Sequence, residues 1–408
     1  LSTAAARETF VRSEVRDFAR ARTFNRMIDQ GLRTASAFGP PAPAPRDRVA
    51  WVDCARGWCI VLVVMMHAAL GVGVAVGDTG WLHAVVAFAK PFRMPDFFLV
   101  AGLFAARAIE APLRRFLDRK VIHFVYFYLL WLFIALAVKA HELGILAPRA
   151  FAETYVWRLV EPFSTTWFIQ LLPIFYIVTR ACRRVPTVAL FAVAFLLHMA
   201  AATVPKGGAY SMESQLTGSI SVDGFLLFWI YFLIGVRFRD LCFRLADAAV
   251  RHKAVAGGLL VAWGVLEAVA TQNLWPERYG FDLPFGLLGA LAVVTVSALV
   301  ARWGAMAWLG AIGRQSLVVY LSFFLPMAAA RVAILKLAPT ADVGLVSLAV
   351  TAIAVAVPLG LARLVRGTRL GFLFERPHWA RLREAAPPDA RPADRAPVAS
   401  LPPRAEAA

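Results

Sequence analysis

The sequence predicts an all-α integral membrane protein, a bundle of about ten transmembrane helices with both termini cytoplasmic. Three observations carry that reading. The 408-residue chain is 60% hydrophobic and only 17% charged, more apolar surface than a soluble domain of this length can use, so the bilayer is its expected solvent and partner. Apolar runs of about 20 residues, the length that crosses about 30 Å of hydrocarbon, recur along it. Basic residues, finally, crowd alternate connections between those runs.

The runs fall at 58–77, 82–105, 121–140, 164–180, 186–204, 221–238, 254–271, 282–301, 307–334 and 342–365. They are uninterrupted rather than alternating. Of the two structures that satisfy every backbone group in lipid, this favours helices over barrel strands. After the second run come Arg107, Arg114, Arg115, Arg119 and Lys120; after the fourth, Arg180, Arg183 and Arg184; after the sixth, Arg237, Arg239, Arg244, Arg251 and Lys253. The intervening connections hold Glu142, Glu153, Glu161, Glu213, Glu277 and Asp282. An even number of spans with basic loops inside puts both ends in the cytoplasm, as expected of a multi-pass protein of the inner (plasma) membrane. Topology thereby accounts for the net charge of +17, and no basic surface with interleaved aromatics is left for nucleic acid.

Residues 1–47 read as a basic tail, in which 1–35 can coil into an amphipathic helix with Val11, Val15 and Phe18 on one face, or be foreign to the native protein. The transmembrane domain spans 48–377, and 378–408 is a Pro/Ala/Arg-rich tail too poor in large apolar groups to fold. No cleavable signal peptide is expected; the first run itself would insert. Cys54, Cys59, Cys182 and Cys242 form no CxxC pair, so neither a disulfide framework nor a metal site is expected. "GVGVAVG" at 71–77 ends a span and is read as close helix packing rather than a dinucleotide fingerprint. The lack of internal repeats weighs against transport.

Ionisable groups inside the spans are the functional candidates, since each is costly in lipid. In "ARGWCIVLVVMMHAAL", Arg56 and His67 are eleven helical steps apart. That brings them within roughly 20° of one face and separates them by about 16 Å along the axis. Asp53 shares the face. One helix thus offers a cation at the cytoplasmic boundary and an imidazole near mid-membrane, a rail suited to acyl-coenzyme A: phosphates at one end, a long arm, a thioester at the tip. His67 can then take the proton from an attacking hydroxyl; its alternative role is to bond a neighbouring helix. In "FAKPFRMPDFFLVAGLF", Lys90, Arg93 and Asp96 trace one stripe at mid-membrane, while Pro91 and Pro95 are expected to kink the helix. Either Arg93, with Lys90, stabilises negative charge near His67, or the three form a structural network. Arg115, Arg119, Lys120 and His123 can clamp donor phosphates or simply mark the cytoplasmic side. Trp167 reads as an interfacial belt aromatic or a substrate contact; His198 and Glu267 read as polar groups bonding a neighbouring helix.

These residues resemble the acyltransferase-3 family of membrane acyltransferases. "RVAWVDCARGWCIVLVVMMH" is similar to its opening, a basic residue, ten residues, then His, met by Arg56 and His67 with Asp53 before them. "FRMPDFFLVAGLF" looks like its second-span pattern, "TTWFIQLL" its Trp-Phe element at Trp167 and Phe168, "YFLIGVRF" its Phe-Leu-Ile-Gly stretch at Phe232 to Gly235. "LGAIGRQSLVVYL" matches its late pattern at Gly313, Ser316, Tyr320 and Leu321. The resemblance covers 48 to about 377. It implies a ten-helix enzyme moving an acyl group, commonly acetyl or succinyl, from cytoplasmic acyl-CoA to a sugar, glycan or other hydroxylated envelope acceptor. It implies His67 as general base and Arg56 as donor-binding residue. Acyl-CoA (acetyl-CoA or succinyl-CoA) is then a co-substrate, and no bound cofactor is expected. Three departures stand out: Lys120 and His123 replace the family's Arg-x-x-Arg, Phe323 replaces a late His, and the soluble esterase-like domain of some members is missing.

The expectation is therefore transmembrane O-acyl transfer, with His67 and Arg93 catalytic, Asp53, Arg56, Arg119 and Lys120 binding the donor, and Lys90, Asp96 and Trp167 contacting substrate. The rival readings are a transporter that uses His67, Lys90, Arg93 and Asp96 as a relay, and a non-catalytic assembly subunit.

Overall fold

A chain segment without water around it must satisfy its own amides, and all ten apolar runs are helical in the computed structural model, which describes residues 49–202, 216–304 and 306–382. No strand occurs among the described residues. The expected N-terminal tail, and the C-terminal one from residue 383, lie outside them.

The helices are α1 (Ala50–Val76), α2 (Trp81–Leu103), α3 (Ala105–Ile109), α4 (Leu113–Phe116), α5 (His123–Lys139), α6 (Pro148–Val160), α7 (Trp167–Ala181) and α8 (Thr187–Ala202). They continue as α9 (Ile220–Arg237), α10 (Arg239–Arg251), α11 (Lys253–Gln272), α12 (Asp282–Trp303), α13 (Ala307–Arg314), α14 (Ser316–Ser322), α15 (Phe324–Leu337) and α16 (Val343–Val365). Among the described residues, six segments are long and apolar enough to cross a membrane: α1, the continuous stretch from α4 through α5, α9, α11, α12 and α16. Counting α14 and α15, bent by 59° about Phe323, as one span raises the number to seven. The other expected spans differ for visible reasons. Three charges interrupt the apolar character of α2, and α7 and α8 have only 15 and 16 residues.

Pro91 and Pro95 lie inside α2, which runs unbroken past both. Two local outcomes depart from the sequence reading. The basic connection after the sixth run coils into α10, which buries Cys242, Ala246 and Ala249 at helical spacing and exposes its arginine face; burial pushes the Cys242 thiol up to about 11. Between α4 and α5 the chain takes a wider π turn, Leu117–Ile122. A π turn inserts one extra residue and re-aims the side chains around it.

At the centre stands α1, packed against α2, α12, α13 and α16. The closest approaches are backbone to backbone. A Cβ at Gly313 would run into the carbonyl of Asp53, one at Gly57 into that of Leu309, and so α13 lies directly on the first turns of α1. Gly102 and Gly235 do the same for α2 and α9. Small residues permit this in lipid, where dispersion contacts rather than water expulsion hold helices together.

Past α16 the chain turns back as a strap, through the 3-10 turns Arg369–Leu373 and His378–Ala380. Tyr126 Oη and Trp131 Nε1 of α5 each donate to it, to Phe372 O and Leu373 O, both at 3.0 Å. Residues 378–382, expected in the tail, thus belong to the folded part.

Gly313→Ala should destabilise the protein by about 1–3 kcal/mol, the usual cost of overpacking. Gly258→Ala, at a position with nothing within 4 Å of the added carbon, should be neutral or stabilising. Thermal unfolding in detergent distinguishes the two, and equal effects would contradict the seam.

Candidate functional site

The polar groups of α1 and α2 meet because the helices run antiparallel and adjacent, with Met65, Met66 and Ala69 packed on Leu82 and Val86. That register places charges at three levels along α1. At the first, Arg56 Nη1 lies 3.9 Å from Asp53 Oδ1, and its guanidinium stacks 4.3 Å over the Phe104 ring at the α2–α3 junction. Tyr176 of α7 is within its electrostatic reach. Lys120, from the π turn, stands on the same tyrosine: Nζ is 3.3 Å from its hydroxyl and 4.8 Å from the ring centre. Two cations expected to bind the donor are thereby collected around one phenol, with Arg56 a third exposed.

One turn deeper, Asp96 acts on Cys59 across the seam. Its side chain is 1% exposed, and Oδ2 has no hydrogen-bond partner among the described residues. Deeper again, Arg93 faces His67 closely enough to act on it electrostatically. Arg93 is buried; His67 is half-buried, although Met66 and Ala68 beside it are closed off. The other face of the imidazole meets Phe323, with ring centres 5.4 Å apart. The side chain that stands where the family pattern has a second histidine therefore packs on the first.

The structure separates other candidates from this line. Lys90 Nζ bonds Glu277 Oε1 at 2.7 Å, a carboxylate delivered by the α11–α12 connection, so the Lys90, Arg93, Asp96 stripe is not one network. Trp167 is no belt aromatic. It is 7% exposed and packs on Phe98, Phe168 and Phe228, with Gly224 of α9 leaving room for its ring. This cluster anchors the start of α7, where Tyr320 donates to Thr165 O and packs on Phe168. His198 does bond a neighbouring helix, through Leu227 O at 2.8 Å, and also pairs with Asp282 at 3.2 Å. Glu267, fully buried, faces inward from α11.

Arg119 is next to Lys120 in the chain but opens on a different space, a cavity of about 1320 Å³ between the π turn and the strap. Its walls include Arg115, Arg119 and His123 on one side and His378, Trp379 and Arg381 on the other. Asp118 fixes the two walls together: Arg376 donates through Nη2 to its carboxylate and through Nη1 to its carbonyl, both at 2.7 Å, and Leu382 N donates to Oδ1 at 2.8 Å. No sequence signal marked Tyr176, Phe104 or Arg376 as partners, because each meets its site across more than 40 residues of chain. Among the described residues no cluster of His, Cys, Asp or Glu could hold a metal ion.

A polar seam between α1 and α2 thus runs through a bundle of long apolar helices. The family model described as an acyltransferase domain matches residues 49–363. With most of the chain inside that match, the protein belongs to the acyltransferase-3 family. No curated protein and no solved structure matches it. The matched region ends within α16, so the strap lies beyond it.

Asp118→Ala should free the strap. A hydrogen bond to a charged group contributes about 1.5–3 kcal/mol, so amide exchange across residues 369–382 should rise roughly ten- to a hundredfold. Unchanged protection there would mean that Asp118 does not hold it.

Proposed function

We propose that this protein is an O-acyltransferase of the inner membrane. Ten membrane passages, with α2, α7 and α8 among them and both termini cytoplasmic, carry an acetyl or succinyl group from cytoplasmic acyl-CoA to a hydroxyl of an envelope glycan or similar acceptor. The observation that carries this reading is the line along α1: Arg56 at one end with Lys120 and Tyr176 beside it, His67 with Arg93 about 16 Å further in. An extended thioester donor needs that separation between its anionic head and its reacting carbon.

In this mechanism His67 takes the proton of the acceptor hydroxyl as its oxygen attacks the thioester carbonyl. Arg93 stabilises the oxyanion of the tetrahedral intermediate. Collapse breaks the carbon–sulfur bond, and the thiolate leaves with the proton that the imidazolium returns. Phe323 offers no second base, so one imidazole serves both transfers. Asp53 orients Arg56, and Asp96 lies on the path between the two levels as a substrate contact. The pairing of Lys90 with Glu277 weakens the relay that a transporter reading requires, because it removes one of the four proposed members. Lys90 and Trp167 then act on substrate only through the shape of the acceptor side, and Arg119 only from the neighbouring cavity.

Reconstituted in vesicles with labelled acetyl-CoA or succinyl-CoA and a glycan acceptor, the protein should form a base-labile ester. Absence of transfer with either donor would refute the reading. His67→Ala should lower kcat by about 10²–10⁴, the usual contribution of a general base, with protein level and thermal stability kept. Arg56→Ala should act differently, raising KM for the donor roughly ten- to a hundredfold, as loss of a bond to a charged group does. A purely catalytic defect in Arg56→Ala would break the assignment of the two ends.

A further inference from the structure

The cavity beside Arg119 has features that a phosphate-free function does not explain. Five of its lining residues are arginines, against two carboxylates, Asp118 and Glu375. Both carboxylates are engaged, Asp118 by Arg376 at 2.7 Å and Glu375 by Arg366 at 3.7 Å. Among the described residues, Arg115, Arg119 and Arg381 form no ion pair. Arg381 donates through Nε and Nη2 to Arg376 O at 3.3 and 3.0 Å, which fixes its guanidinium at the wall without cancelling its charge. Three cations without an ion-pair partner around one concavity attract an anion of several charges.

The second feature is Trp379. It is 81% exposed, and a T-shaped contact with Tyr126 at 6.1 Å is its one ring contact among the described residues. An exposed indole beside guanidinium groups that have no carboxylate partner suits a nucleotide, base on the ring and phosphates on the cations. Size agrees. About 1320 Å³ exceeds the 300–1,000 Å³ or so of ordinary small-molecule pockets, and is far more than a lone phosphate fills. The cavity lies next to the α1 line, on the other side of the π turn that carries Lys120 to Tyr176.

We infer that the strap after α16 is half of the pocket for the phosphorylated nucleotide end of the acyl donor: Trp379 stacks the purine, while Arg381 and, across the cavity, Arg115 and Arg119 bind its phosphates. The inference rests on the acyl-CoA reading for the identity of the donor. It assigns a binding role to residues outside the region that matches the acyltransferase family.

The test uses the full chain in phosphatidylcholine nanodiscs and adenosine 3′,5′-bisphosphate, the nucleotide end of coenzyme A without its arm. The probe should bind saturably by calorimetry and compete with acetyl-CoA. Trp379→Ala should weaken it about tenfold, in the range of one lost base stack, and its exposure makes that variant safe for folding. Arg381→Ala is the second variant and should weaken it similarly. In turnover, Trp379→Ala should raise KM for acetyl-CoA about tenfold and leave KM for S-acetylpantetheine, which lacks the nucleotide, at the wild-type value. Failure of the wild type to bind the probe, or binding by both variants as tight as that of the wild type, overturns the inference. So does a result in which the variants alter retention of phosphatidylglycerol and not nucleotide binding, which would make the cavity a lipid headgroup site. Acyl transfer with unaltered nucleotide affinity in the variants overturns this pocket alone. Nucleotide binding without acyl transfer upholds the pocket and counts against the reaction.

Discussion

Ionisable groups shut between two apolar helices impose the constraint that the rest of the molecule answers. A charge in hydrocarbon costs several kcal/mol unless partners or fixed dipoles replace its water. Arg93 and Asp96 are both buried on α2, facing an α1 that carries Arg56 and His67. Neither helix can face lipid along that seam. Both are accordingly ringed by others, α1 by α12, α13 and α16, and α2 by α9 and α12. The glycine crossings at Gly313 and Gly235 bring those neighbours to backbone contact, and what they exclude is lipid from the polar line.

The aromatic cluster is the second support. Phe98 touches Trp167, Phe168, Phe175 and Phe228, so the half of α2 that follows Asp96 is fixed against α7 and α9. Phe168 in turn reaches Tyr320 on α14, three residues before Phe323, which packs on His67 and is the single residue between α14 and α15. A displacement of α7 would thus be felt at the imidazole through Phe168, Tyr320, the last residues of α14 and Phe323. Aromatic faces and edges tolerate such packing because their contacts are directional as well as apolar.

Helical class, the segments and the α1 line were legible in the sequence, for a plain reason: each depends on residues near one another in the chain. Hydrophobic length predicts a helix without knowledge of its neighbours, and the Arg56 to His67 spacing fixes a common face by helical geometry alone. What the sequence did not disclose was set by partners far along the chain. Lys90, Arg93 and Asp96 share a local pattern, yet Glu277 takes Lys90 and leaves the others on the α1 side. Trp167 had the composition of an interfacial residue, and Gly224 admits it to the interior. Arg119 and Lys120 looked like one clamp because they are adjacent. The π turn sends them to separate spaces, and no periodicity rule anticipates an inserted residue. Arg376 gave no sign at all, since positive-inside bias already accounted for a basic residue after the last span.

The strap distinguishes two kinds of boundary that are easily confused. The family match ends at 363, but the forces that complete the fold do not. A chain cut there would leave the Asp118 carboxylate without Arg376, and the Trp131 indole and Tyr126 hydroxyl without their carbonyl acceptors, all along one membrane-length segment. Water can reach some of these groups, yet three orphaned polar groups on one segment weaken its hold on the rest of the fold. For this protein the smallest autonomous unit is therefore longer than the smallest recognisable one, and any division of the chain into interchangeable parts belongs after Leu382 rather than within α16.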